Sequence, residues 1–93
     1  MNKTEAIEAS NKINHHFSSH NDDLNNPTIK KDLAKTIQEL IGYVDNYQPQ
    51  TTESASVRGV LEDHLKMVTD ASKDQTVIDN LAWHRDVHRF ISA

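Results

Sequence analysis

Between Ile29 and Tyr47 the apolar residues recur every three or four positions, and this period constrains the chain more than any other feature. At about 100° per residue, Ile29, Leu33, Ile37, Leu40, Ile41, Val44 and Tyr47 fall on one side of a helix, with Lys31, Lys35, Gln38, Glu39 and Asn46 opposite. Three clusters of turn-forming residues divide the chain into four segments. The first, Asn21 to Pro27 (NDDLNNP), sets Asn26 as an N-cap and Pro27 at the first helical position, where its missing N–H costs nothing. The second is Gln48 to Ser54 (QPQTTES). The third, around Asp70 to Asp74, includes Ser72-Lys73-Asp74-Gln75, the pattern of a capping box.

The other segments are helical by the same test. Segment three gathers Val57, Val60, Leu61, Leu65, Met67 and Val68 against Glu62, Asp63, Lys66 and Asp70. Segment one intersperses Ile7, Ile13, Phe17 and Leu24 with Asn and Ser, which makes it the least stable helix. In segment four, Val77, Ile78, Leu81 and Ile91 make one stripe while Trp83, Val87 and Phe90 make a second beside it. A bundle helix buries one stripe, so this helix either sits centrally or exposes one stripe to a partner. Short connections and the lack of any β-rich run predict an all-α fold: an antiparallel four-helix bundle, up-down-up-down, in a single domain spanning 1–93. The expected helices are about 3–21, 27–47, 54–71 and 73–92.

Composition then narrows function. The chain has no cysteine, which excludes disulfides, thiolate nucleophiles and Cys-ligated zinc or iron–sulfur sites. A formal charge of −4 disfavours a nucleic-acid-coating role. Only two glycines, Gly42 and Gly59, are present, so neither the dinucleotide fingerprint nor a P-loop exists. Both glycines point away from the apolar faces, where the backbone is either closely approached or merely tolerates the loss of a side chain. No GxSxG, HExxH, EF-hand or Glu-x-x-His pattern occurs, and the expectation is a non-enzymatic protein with no cofactor. The polar start, MNKTEAIEASNK, and the absence of any long apolar run lead to the expectation of a soluble, unprocessed, cytoplasmic chain.

Six histidines would carry the charge from −4 to +2 on full protonation. His16 with His20 and His84 with His88 have the i, i+4 spacing of a metal-gripping pair, yet no third ligand can be named, and no metal site is assigned. His64 falls within the apolar face of segment three, and His84 within the wide arc of segment four. The two could share a level of the bundle, as packing histidines satisfied by neighbours or as a pH-responsive joint. Lys30, Lys31 and Lys35 read as a solvated face with help from a Lys35–Glu39 pair, or as a basic patch for an anionic partner. The run Trp83-His84-Arg85-Asp86-Val87-His88-Arg89-Phe90 concentrates the residue types favoured at interface hot spots, although arginines near a helix end also complement its dipole.

With the long second helix DLAKTIQELIGYVDNY, the third-helix pattern VRGVLEDHLKMV and the fourth-helix pattern VIDNLAWHRDVHRFI, the stretch from Asn26 to Ile91 resembles the immunity proteins of pediocin-like (class IIa) bacteriocins. The resemblance implies a cytosolic bundle that protects its producer by recognising the bacteriocin-occupied mannose permease and blocking the pore. It further implies that the third and fourth helices set specificity, with Trp83, Arg85, His88, Arg89 and Phe90 contributing to recognition. One departure is that the chain stops at Ala93, with almost no tail beyond the last helix. Two alternatives stand beside it. One is an anti-defence inhibitor, anti-CRISPR-like, whose acidic residues Asp22, Asp23, Glu39, Asp45, Glu62, Asp63 and Asp70 mimic nucleic acid. The other is a metal- or proton-responsive regulator built on the histidine pairs.

Overall fold

Asn26 opens the most regular helix of the chain as its sequence predicts: its side-chain oxygen accepts the N–H of Thr28 at 2.9 Å and of Ile29 at 3.5 Å, with Pro27 as the first helical residue. The computed structural model describes residues 1–18, 26–69 and 83–93, without the side chains of Phe17, Ser18 and His84. Its helices are α1 (Lys3–Ser18), α2 (Pro27–Asp45), α3 (Thr52–Thr69) and α4, in which a π-helical stretch (Trp83–His88) runs directly into an α-helical turn (Arg89–Ser92). The proposed capping box at Ser72 to Gln75, and the stripe residues Leu24, Val77, Ile78 and Leu81, lie outside the described residues.

Four cross-links give the helix directions. Lys12 of α1 meets Asp32 of α2 at 2.5 Å, Asp45 at the end of α2 meets Arg58 near the start of α3, and the ring of His64 in α3 meets Trp83, the first described residue of α4. Lys3 at the start of α1 donates to the carbonyl of Ala93, just past α4, at 2.7 Å. Consecutive helices are therefore antiparallel, and α4 returns to pack against α1 as well as α3. This is an all-α four-helix bundle with up-down-up-down connectivity. Among the described residues no helix is long and apolar enough to cross a membrane.

The core is built from one stripe per helix. Ala6, Ser10 and Ile13 come from α1, and Leu33, Thr36, Ile37, Leu40 and Val44 from α2. Ser54, Val57, Leu61, His64 and Val68 come from α3, and Trp83, Val87 and Ile91 from α4. The apolar face assigned to α2 is the buried one, with one correction at its end. Tyr47 lies beyond the last helical residue and is 36% exposed. The Asn46 N–H still donates to Gly42 in the helical register, whereas the Tyr47 N–H donates three residues back, to Val44, which tightens the chain out of the helix.

The α2–α3 corner is held by polar contacts that periodicity does not show. The Gln50 side-chain amide donates to the carbonyls of Val44 (2.9 Å), Asp45 (3.2 Å) and Tyr47 (2.6 Å), covering acceptors that a helix end leaves orphaned. Thr51 and Ser54 then exchange backbone-to-side-chain bonds of 2.9 and 3.1 Å, a reciprocal cap that starts α3 at Thr52, two residues before the position expected. Asn2 and Glu5 make the same exchange at the start of α1. The Lys12 ammonium hydrogen-bonded to Asp32 holds that carboxyl below the usual range, so its small contribution to stability is present at neutral pH and fades as acid protonates it.

Neither glycine is closely approached. A methyl group placed on Gly42 or Gly59 would meet nothing within 4 Å, and both lie in regular helix. Gly59→Ala is therefore expected to raise unfolding free energy by about 0.5–1 kcal/mol. Gln50→Ala, which uncovers the α2 carbonyls, is expected to lower it by about 1 kcal/mol. Urea denaturation of the two variants checks both signs.

Candidate functional site

The fourth helix carries the densest recognition chemistry in the sequence, and its backbone geometry decides which of those residues reach the surface. Trp83, Val87 and Ile91 are spaced by four, which overshoots the 3.6 residues of an α-helical turn. The wider π-helical turn over Trp83–His88 takes up the excess and aligns the three side chains. All three are enclosed: Trp83 and Val87 are 0% exposed and Ile91 is 2% exposed.

The interior position of Trp83 corrects its assignment to a partner surface. A wholly buried indole cannot touch a partner while the bundle is intact, and Val87 of the same stripe is core with it. Phe90 is half-buried against that core and meets Tyr47 edge-on, with ring centroids 5.1 Å apart. His88 is half-buried too, with its Nδ1 3.1 Å from the hydroxyl of Ser10 on α1. Arg85 and Arg89 are the members of the proposed set that stand exposed.

His64 lies inside the apolar face, as its position in the pattern required, and is 5% exposed. Its Nδ1 is 2.7 Å from the carbonyl of Val60, an acceptor, so the proton sits on Nδ1 and the ring is tied to its own helix. Its face-to-edge neighbour is Trp83 at 5.4 Å. The proposed pairing of His64 with His84 falls on a side chain outside the described residues, as do the His16–His20 and His84–His88 metal pairs in part. Among the described residues no group of three or more His, Asp or Glu side chains converges on a point that could hold a metal ion.

The Ser10–His88 contact joins a hydroxyl to an imidazole, the beginning of a nucleophile–base pair. Ser10 is completely buried, however, so a carbonyl substrate has no route to its oxygen in this arrangement. What the pair does is bind α1 to α4 through the interior, with both polar groups satisfied.

Outside the core, α3 and α4 form the walls of an open groove of about 450 Å³. Val60 contributes apolar surface over the buried Val57; Glu53 and Ser56 form one rim, and Arg85, Asp86 and Arg89 the other. Arg85 grips the neighbouring Asp86 through two bonds of 3.0 and 3.1 Å, and the guanidinium holds that carboxyl below its usual range. Arg89, one turn on, is exposed on the same rim.

The acidic residues of the alternative reading are distributed otherwise. Asp22, Asp23 and Asp70 lie outside the described residues. Arg58 binds Asp45 at 2.5 Å and also pairs with Glu62 one turn along α3. Two of the remaining carboxylates are thereby neutralised in place. Arg58 escaped the sequence reading, although its i, i+4 relation to Glu62 was a legible signal; its partnership with Asp45 across the corner was not. Lys31 and Lys35 are exposed, as a solvated face requires, and the ion pairs found on this side join Asp32 to Lys12.

Comparison with known protein families, curated proteins and solved structures yields no match to this chain.

Trp83 and Arg89 separate packing from surface chemistry. Trp83→Ala is expected to cost about 3–5 kcal/mol of unfolding free energy. Arg89→Ala should stay within about 0.5 kcal/mol of the parent. Paired urea titrations followed by circular dichroism read both.

Proposed function

We propose that this chain is a non-enzymatic protein-binding module of the bacteriocin-immunity type, acting in the cytoplasm through the outer face of α3 and α4. The observation that carries the reading is the groove rimmed by Arg85 and Arg89 over Val57 and Val60. It combines an apolar floor with the exposed guanidinium of Arg89, a group that makes planar, paired bonds to carboxylates, beside Arg85, which Asp86 holds in place. The helix that presents them is anchored from behind by Trp83, Val87 and Ile91, so little order remains to be imposed on binding. The same two helices are those to which the resemblance assigns specificity. The partner in this reading is the mannose permease while a pore-forming class IIa bacteriocin occupies it.

The nucleic-acid-mimic reading is weaker on a specific ground. A mimic needs an uninterrupted acidic face, and here Arg58 sits between Asp45 and Glu62 and pairs with both.

The test is capture from detergent-solubilised membranes of a bacteriocin-sensitive strain, with and without bacteriocin. Bacteriocin-dependent capture of the permease is expected for the parent chain. It should fall at least about tenfold in the Arg85→Ala/Arg89→Ala double variant, as for loss of one interface hot spot, while the melting curve is unchanged. Capture that ignores bacteriocin, or survives the double substitution, would count against the reading.

A further inference from the structure

A second cleft lies away from the α3–α4 groove, where the beginning of the chain crosses the last turns of α2. It encloses about 460 Å³, and Met1, Glu39, Gly42, Tyr43 and Tyr47 are among its walls. Among the described residues the exposed large hydrophobic side chains are Met1, at 46%, and Tyr47, at 36%, and both line this one cleft. Exposed apolar surface gathered at a concave site marks a place where something binds. We infer that this cleft receives an arginine or lysine side chain of a basic peptide, lying against the rings of Tyr43 and Tyr47 beside the carboxylate of Glu39.

The chemistry follows from the spacing. Glu39, Tyr43 and Tyr47 succeed one another at intervals of four, which stacks them along one edge of α2 and its C-terminal turn. The tyrosine ring centroids are 6.1 Å apart with their planes inclined at 58°, two faces of an angled recess. Phe90 meets Tyr47 edge-on at 5.1 Å, a contact that helps hold that ring in place. Gly42 supplies no side chain to the wall, and the space its Cβ would take is open to 4 Å. Aromatic faces attract cations through their quadrupole, and a carboxylate beside them fixes the sign of the guest.

Charge extends the site into a track. The cleft continues along the α1–α2 seam into a second hollow that shares Met1 and Glu39 and adds Glu5 and Glu8. Lys12, which also lines that hollow, is bound to Asp32 at 2.5 Å. Three carboxylates in succession suit a guest with several cations on one backbone, rather than a headgroup with one. The site is independent of Arg85 and Arg89.

The experiment is an aromatic NMR titration of the whole chain with acetylated tri-arginine amide, using tri-glutamate and phosphatidylcholine vesicles as comparison probes. Tri-arginine should shift the Tyr43 and Tyr47 ring signals saturably. Affinity should fall about three- to fivefold in Glu39→Gln, the size of one exposed ion pair. Gly42→Leu, which fills the recess while favouring the helix, should abolish the response without lowering the melting temperature. Arg89→Ala should bind tri-arginine as the parent does, so this site and the α3–α4 surface succeed or fail separately. Absence of saturation, an equal response to tri-glutamate or to vesicles, or undiminished binding by Glu39→Gln would overturn the inference.

Discussion

The enclosure of Trp83 is the contact on which the rest of the bundle depends. It is the largest fully buried side chain among the described residues, it enters at the first described turn of α4, and it meets the His64 ring in the middle of α3. An indole contributes more buried area than any other side chain, and aromatic pairs prefer the edge-on geometry seen here. Because Val87 and Ile91 follow it into the core, the position of Trp83 sets the rotation of the whole helix. That rotation in turn decides which residues of α4 face solvent: Arg85 and Arg89 outward, His88 toward Ser10, and Phe90 toward Tyr47.

Three of the polar side chains that reach into the core are satisfied there. His64 is tied to Val60, Ser10 to His88, and Thr36 to the carbonyl of Asp32 at 2.9 Å. Each removes the penalty of enclosing a polar group and fixes a direction as it does so. The charged side chains act differently. Lys12 with Asp32, Arg58 with Asp45, and Arg85 with Asp86 lie at exposed sites, where ion pairs contribute little to stability and act mainly by fixing which charges remain to be offered.

Much of this was legible in the sequence because it is local. The stripe of α2, the Asn26 cap followed by Pro27, and the place of His64 within an apolar face all follow from the spacing of neighbouring residues. Three things were not legible, each for a reason of its own. Periodicity leaves open whether the stripe of Trp83 is buried or offered to a partner, because a fixed 100° period does not anticipate the π-helical turn that brings Trp83 into line with Val87 and Ile91. The start of α3 depends on a serine performing the reciprocal cap usually given to Glu or Gln. The cleft of Glu39, Tyr43 and Tyr47 depends on where α2 ends, since Tyr47 reads as the last core residue of a longer helix. Sequence spacing could place Arg85 and Arg89 on a helix face, but the groove they rim exists only once α3 has packed beside them.

The Gln50 joint has a consequence for motion. Helix ends ordinarily fray one at a time, because the last turn of each is held only by its own few bonds. Here a single amide spans the final carbonyls of α2, while the Ser54 hydroxyl donates to the oxygen of that same side chain at 3.2 Å from the first turn of α3. The end of one helix and the beginning of the next thus share a fastening, so loosening one removes a bond from the other. Tyr47 gives its carbonyl to that fastening, so the wall it lends to the cleft is tied to both helices rather than to the end of one.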